Sequence, residues 1–484
     1  MLFSERNLQW TDSLTPSNEH DFLTIEWLRS SVAEVGDASL QSYFAITPDG
    51  ATPSLCAPAQ SYDALIESVI AVTERANVEL GYMSNRKRVV LSDRAQLSQE
   101  LASKPNVQIR LFSGQKRLAF FIEKWTTEGS ALVAPRPNLV TKTIQLGNAS
   151  ADAFFDTPGK NLNELYPTPL MEECVFPIDA VYTWVNSADA EWQKMFAEHG
   201  GEPDADRFSS RDELRYSLRS LFQFAPWVHR VFVVSNCPPP DWFDKSNQRV
   251  VWVPHEDIID PALLPTFNSH AIEASLHRIP DLSEHFLYFN DDMFLMRPVS
   301  KTDFFQSNGI AKIRPEPYGS VHGDVDARDP DYINAARNGQ ALLQAEFVKT
   351  PTRPFAHSPH SMQRSVAQAC EDGFAEPFQA TRASKFRSIT DISPTSFLYP
   401  NFAFLTGNAV MDYTKTAMVN SNHSFRERLE SYSELLNAAK FAELPISLCI
   451  NDGGGSTTND EWERSIVEFM SSAFPIASEA EKSI

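Results

Sequence analysis

Asp291 and Asp292 stand side by side at the end of an apolar run, Glu284–Phe294 (EHFLYFNDDMF), with the amide of Asn290 just before them. Ligands of open α/β sheets collect at the carboxyl ends of strands, and paired carboxylates there suit a hard cation such as Mg²⁺ that bridges a substrate diphosphate. The same residue types also make a solvated turn. Asn451-Asp452, before Gly453, Gly454 and Gly455, repeats the pattern after a second apolar run. If the two strand ends are adjacent in space, they hold one cation between them. Asp291, Asp292, Asn451 and Asp452 are therefore the candidate metal ligands.

The positive groups such a site needs recur at helical spacings. Arg211, Arg215 and Arg219 stand four residues apart, so on a helix they form one stripe opposite Leu214, Leu218, Leu221 and Phe222. Such a stripe is a solvated face or a seat for a phosphate. Ser210-Arg211-Asp212-Glu213 fits a capping box, which predicts Ser210 as N-cap with Glu213 reaching back. His357-Ser358-Pro359-His360 sets two imidazoles at the start of a Pro-initiated helix, with Arg364 one turn beyond. Metal ligation, general base and phosphate donation are all open; with no third ligand nearby, proton transfer or donation to a phosphoryl oxygen is preferred to zinc. Of Arg382, Lys385 and Arg387, the last is assigned to face a diphosphate.

Hydrophobic types make up 42% and charged types 22% of 484 residues, ordinary for a soluble globular protein. The length fits about three domains of ~150 residues, or one large α/β domain with a module. A net charge of −21 argues against a nucleic-acid binder and against charge-driven adhesion to anionic lipid. Cys56, Cys174, Cys237, Cys370 and Cys449 are scattered, odd in number and without C-x-x-C spacing, so neither a zinc site nor a disulfide framework is expected and a cytoplasmic setting fits. The start of the chain lacks a basic segment followed by an apolar run, and no stretch approaches ~18 apolar residues, so export and membrane spanning are not expected.

These candidates need elements to hold them. Residues 22–35 and 61–80 have helical spacing, and Arg88–Leu91, Val107–Phe112 and Leu118–Trp125 read as strands, giving a small N-terminal α/β module over 1–130. Pro, Asn, Thr and Gly mark 131–177 as an irregular connection. The catalytic region, 178–484, opens with the strand Ile178–Asn186, then a helix over 211–224, strands His229–Ser235 and Arg249–Val253, a helix over 269–279 and the Asn-Asp-Asp strand. This order predicts an α/β fold with a Rossmann-like, mostly parallel sheet flanked by helices. Residues 308–356 read as an insertion or lid. A helical C-terminal region follows, with helices over 359–371, 424–442 and 459–473, and a strand Ile446–Asn451.

The blocks Ile178–Asn186 (IDAVYTWVN), Arg211–Leu221 (RDELRYSLRSL), Leu264–Phe294, His357–Arg364 (HSPHSMQR) and Leu448–Asp452 (LCIND) resemble, in order, the conserved regions of the Stealth family. That family contains bacterial capsular-polysaccharide hexose-1-phosphate transferases and the catalytic subunit of the animal enzyme that places GlcNAc-1-phosphate on lysosomal glycans. The resemblance implies a GT-A-like fold, a UDP-sugar donor, usually a UDP-hexosamine, Mg²⁺ or Mn²⁺, and an oligo- or polysaccharide acceptor. Sugar and proximal phosphate would move together to an acceptor hydroxyl, giving a phosphodiester and UMP. Trp184, Asn186, Arg211, Arg215, Asn268 and Arg364 would contact substrate. Asp291 and Asp292 would serve metal and catalysis, and His357, His360, Arg387 and Asp452 would complete the phosphate site. In the expected mechanism Asp292 or His360 deprotonates the acceptor, His360 being favoured of the two histidines. Mg²⁺ on Asp291 and Asp452 bridges the diphosphate, and Arg387 with Arg215 stabilises the phosphoryl group. Capsule or exopolysaccharide synthesis in the cytoplasm, at the inner face of the membrane with assembly machinery or as a homo-oligomer, is implied only through the family. The rival readings are a metal-dependent glycosyltransferase releasing UDP, a metal-dependent phosphodiesterase and a non-catalytic sugar-binding module.

Overall fold

The computed structural model describes residues 23–482 except 37–39, 41, 47–51, 115, 139–140, 148–153, 155, 167, 201–209, 422–423 and 453–458. The chain divides into two compact units, Met1–Leu170 and Met171–Ile484. In the first, one sheet runs in the order β4 (Lys87–Val89), β3 (Glu79–Ser84), β5 (Asn106–Ser113), β6 (Lys116–Glu128), β2 (Ser54–Pro58), β1 (Phe44–Ile46), β9 (Lys160–Asn161), and β6 extends into a ribbon with β7 (Ala131–Asn138) and β8 (Thr141–Gln145). Leu65, Ile66 and Val69 of the helix Tyr62–Arg75 recur at helical spacing and pack with Ile109 and Ile122. The expected irregular connection is therefore corrected over its first part: β7 and β8 are strands that belong to this unit. Pro135 and Pro137 disguised them, lying where the β7/β8 register shifts between Val133 and Asn138, as prolines in sheets tend to.

The second unit is built on a five-stranded sheet. β10 (Ile178–Thr183), β11 (Val231–Val234), β12 (Val250–Val253) and β13 (His285–Asn290) are parallel, in the order β12-β11-β10-β13, and β16 (His360–Gln363) joins β13 antiparallel. The mostly parallel α/β sheet read from the sequence is present. Its central strands are apolar because both faces are buried, and Leu214, Leu218 and Leu221 of the helix Glu213–Phe224 pack in the same core. The chain leaves β10 towards β11 and returns beside it as β13, so their carboxyl ends form the crevice at a switch point. A second sheet grows from that crevice: β14 (Met293–Leu295) runs antiparallel to β19 (Ser447–Asn451), and β18 (Ala417–Asn420) lies parallel to β19. β15 (Ala311–Ile313) and β17 (Ala409–Met411) form a small parallel pair.

Several expectations change. Residues 308–356 are not a lid outside the core: Ala311, Ile313, Ala336, Leu343 and Phe355 are buried within it, Ala336 and Leu343 on the helix Asp331–Phe347. His360 begins β16 instead of a helix, because backbone pairing with β13 outweighs the Pro359 start signal, and the helix runs Arg364–Gly373. The expected helix over 269–279 is a short helix, Ser269–Glu273, followed by a tight turn over Leu276–Arg278. The capping box also shifts. Asp212, in left-handed conformation (φ 63°), precedes the helix, and Glu213 accepts the Arg211 N–H at 2.6 Å.

The arginine stripe on that helix is taken by the C-terminal segment. Glu481, its side chain 3% exposed, accepts from Arg215 Nε (2.6 Å) and Arg219 Nε (2.7 Å). Burial pushes its carboxyl up, but Arg219, the Ser478 N–H and Arg215 outweigh this and hold it down at about 2. A carboxylate depressed in the folded state stabilises above its unfolded value of 4.5 and loses that contribution as pH falls toward 2. Glu481→Gln is expected to lose on the order of 2–3 kcal/mol in urea unfolding at neutral pH, with the deficit shrinking as pH falls below ~4.5. A deficit unchanged with pH would contradict this.

Candidate active site

Thr183 and Asn290 are register partners at the ends of β10 and β13. Tyr288, two residues back on the same face, shares a hydrogen bond with the Thr183 hydroxyl (3.1 Å) and donates to Asn290 Oδ1 (2.8 Å). The next two residues are the carboxylates. The Ile450 N–H donates to the Asp292 carbonyl (3.0 Å) and Met293 pairs with Cys449, which sews the end of β13 to the end of β19. This brings Asn451 and Asp452 beside Asp291 and Asp292. The adjacency that the sequence could pose only as a condition is thus met.

The electrostatics show how crowded this corner is. Burial, then the charges of Asp292, Glu213 and Asp452, push the Asp291 carboxyl well above the usual range. Burial also raises Asp292, against the opposing pull of His357 and of hydrogen bonds from Cys449 and Asn451. Cys449 Sγ lies 3.3 Å from Asp292 Oδ2, while Oδ1 is buried with no hydrogen-bond partner among the described residues. His357 Nδ1 is likewise buried and unpartnered. Carboxylates that resist ionisation, with an idle buried oxygen, fit a cation. Among the described residues no three or more His, Cys, Asp or Glu side chains converge to hold a metal alone. That suits Mg²⁺, which commonly takes one or two carboxylates and completes its shell with substrate phosphates and water.

Arg211 lies behind the acids, its side chain 5% exposed. It reaches Asp452 through Nη1 (2.9 Å) and Nη2 (3.2 Å), Glu213 through Nη1 (3.0 Å), and Glu463 of the helix Asp460–Ala473 through Nε (2.6 Å). Trp462 Nε1 also donates to Asp452 Oδ1 (2.8 Å). Both oxygens of Asp452 therefore accept hydrogen bonds, and the carboxylate holds Arg211 in place. Arg211 in turn has no donor arrangement directed to substrate, and Arg215, bound to Glu481, is corrected from phosphate ligand to structural cation. The three glycines after Asp452 lie outside the described residues.

The two histidines differ in setting. His360 lies opposite Tyr288, their rings stacked with centroids 6.2 Å apart. Burial, with His357 and Arg314, pushes its imidazole down to about 3, so it is neutral at physiological pH and a poor acceptor of a hydroxyl proton. His357 is near enough to Asp292 for its charge to lower that carboxyl.

Arg387 donates to Ser269 Oγ through Nη2 (2.9 Å) and Nε (3.3 Å) and makes no ion pair among the described residues, so its charge stays available. Asn268 is fully buried; it donates to Asp391 Oδ2 (2.8 Å) and to the carbonyls of Ser384 and Phe386 (both 3.2 Å). It fastens the segment carrying Arg387 and is no substrate ligand. Arg364 donates to the carbonyls of His277 (3.0 Å) and Leu282 (3.4 Å), away from the acids, and is corrected in the same way. Trp184 packs edge-on to Trp252 (5.4 Å), and Asn186 Oδ1 accepts the Ala188 N–H (3.1 Å), both in the loop after β10. The structure also points to Glu273, which sequence reasoning missed. It accepts from the Thr395 hydroxyl (2.6 Å), its charge raises Tyr288, and it stands four residues after Ser269, a spacing that could have signalled it.

Three conserved regions match this chain: Stealth protein CR1 at 176–194, CR2 at 207–313 and CR3 at 356–403. The chain is 34% identical, over 97% of its length and 88% of the relative's, to the capsular polysaccharide phosphotransferase SacB of Neisseria meningitidis serogroup A. It is 36% identical, over 75% of its length and 70% of the relative's, to the exopolysaccharide phosphotransferase SCO6021 of Streptomyces coelicolor. Among solved structures, the apo form of the bifunctional glycosyltransferase WbbM aligns over 85% of this chain and 63% of its own at 11% identity and a TM-score of 0.32, too low to argue from. The relatives fix the class: the chain is a phosphotransferase. It belongs to the Stealth family, and its likeness to SacB extends through the N-terminal unit that the three conserved regions leave uncovered.

Proposed function

We propose that this enzyme transfers hexose 1-phosphate, an N-acetylhexosamine 1-phosphate by preference, from a UDP-sugar to a hydroxyl of a growing capsular or exopolysaccharide chain. The acceptor oxygen attacks the phosphorus that carries the sugar, the bond from that phosphorus to the bridging oxygen breaks, and UMP leaves with the electron pair. The product is a phosphodiester. The names of the relatives support the polysaccharide setting. The observation that carries the reading is the meeting of the β13 and β19 ends, with Asp292 Oδ1 buried and unpartnered beside His357.

Asp291 and Asp292 are the residues suited to hold Mg²⁺ or Mn²⁺, which would supply charge neutralisation at the diphosphate. Arg387 faces the phosphoryl oxygens, Asp292 with His357 takes the acceptor proton, and His360 contributes a neutral imidazole. Trp184 and Asn186 line the donor side, and Asn451 supports Asp292. We place the reaction in the cytoplasm, which five free cysteines and the nucleotide-sugar donor support; among the described residues no helix is long and apolar enough to cross a membrane.

Chelation is expected to abolish transfer, and Mg²⁺ or Mn²⁺ to restore it. The same ions at ~100 times Kd should stabilise the protein by about 2.7 kcal/mol in thermal unfolding. Asp291→Asn should lose that stabilisation. Full activity in excess chelator would refute the cation's part.

A further inference from the structure

A second cavity lies at the far end of the sheet β14-β19-β18, of about 410 Å³, lined by Arg297, Pro298, Thr414, Lys415, Phe441, Ala442 and Leu444. The Met296 N–H donates to the Ile446 carbonyl (3.1 Å) and the Ile446 N–H to the Lys415 carbonyl (2.8 Å), so Arg297 and Lys415 flank the strand segment before β19 from either side. Two strand spacings set their backbones ~10 Å apart. In a chain of net charge −21, the lining has two cations and no acid.

Of these two cations, Arg297 is shared with Asp303, 3.5 Å away, and Lys415 makes no ion pair among the described residues. Asp412 is turned to Arg314 (2.8 Å) and accepts from Thr414 Oγ1 (2.8 Å). Lys415 is exposed. Lys301 and Lys312, nearby in sequence, donate to the carbonyls of Phe176 and Thr302 (both 2.7 Å) and leave their charge standing. Two cations over an apolar wall of Phe441, Leu444 and Pro298 match a ligand that alternates anionic groups with sugar rings. Arg297 is five residues beyond Asp292, at most ~18 Å of extended chain.

We infer that this cavity is an accessory site for the acceptor, holding an anionic stretch of the glycan a few units behind the hydroxyl that reacts. This rests on the proposed reading of the active site, since the phosphodiesters formed there are what would make the acceptor anionic. The site gives longer acceptors tighter binding and leaves the chemical step untouched.

The test uses the full chain and R297A/K415A, two surface substitutions outside the active site. In titration calorimetry at low ionic strength, a sulfated heparin hexasaccharide should bind the wild type and bind the double variant ~10-fold more weakly, as the loss of two charged contacts worth ~1.4 kcal/mol together. A neutral dextran hexasaccharide should not bind the cavity. Equal binding of the heparin fragment by both proteins, or UMP competing for the cavity, would overturn the assignment. In turnover, the double variant should show a raised KM for a six-unit acceptor, with kcat and the KM of a one-unit acceptor unchanged. Equal effects on both acceptors, or none, would also overturn it. If the wild type transfers to no acceptor, the active-site reading fails, and calorimetry still decides the cavity.

Discussion

Asp292→Asn should lower turnover by at least ~10³-fold while the protein unfolds at the wild-type temperature or above it. Both effects have one origin. Asp291 and Asp292 are adjacent acids pressed into a buried corner; burial raises both, and the charge of Asp292 raises Asp291 further. Such pairs destabilise a fold unless a cation sits on them, so removing one charge relieves the empty protein while it removes the anionic oxygen the chemistry needs. The near-isosteric amide keeps room for Cys449 and Asn451. Initial rates with saturating donor, and thermal unfolding without divalent cation, check the two halves. A variant within tenfold of wild-type activity would show that Asp292 takes no part in transfer.

Arg211→Ala is expected to cost about 3–5 kcal/mol in urea unfolding. The guanidinium is buried and joins Glu213, Asp452 and Glu463, three acids from three separate stretches of chain. Deleting it leaves Glu213 and Asp452 uncompensated beside Asp291, whose carboxyl they already push up. Transfer should fall with stability, because Asp452 and the Trp462 indole lose the group that fixes them. Adding Glu463→Gln should recover part of the lost stability. A loss below ~1 kcal/mol would mean that the three acids find other partners or protons.

What the sequence shows of this site depends on how local each signal is. The strand ends at Asn290-Asp291-Asp292 and Asn451-Asp452 are legible because apolar runs stop there, and the central β10–β13 sheet follows from strand and helix order. Their meeting is not legible, since it rests on the three-residue strand β14 pairing with β19 across more than 150 positions. The arginine stripe is visible as a helical pattern, but its purpose is set by Glu481, 262 residues from Arg219. Pro359 gives a sound helix-start signal that loses to pairing with β13, and that one reversal puts His360 in a strand opposite Tyr288. Asn268 and Arg364 look like site residues by type and block, yet their donors are spent on backbone carbonyls and Asp391. Polar side chains that hold loops and those that hold ligands have the same letters; only burial and partners separate them.

The most direct measurement mixes the purified protein with Mg²⁺, a panel of UDP-hexosamines and a short glycan acceptor, then follows phosphorus NMR and the released nucleotide together. The account predicts UMP and a new phosphodiester resonance in equal amounts, formed only when acceptor is present. UDP release with no phosphodiester would contradict it, because the bond broken would then be at the anomeric carbon and not at phosphorus.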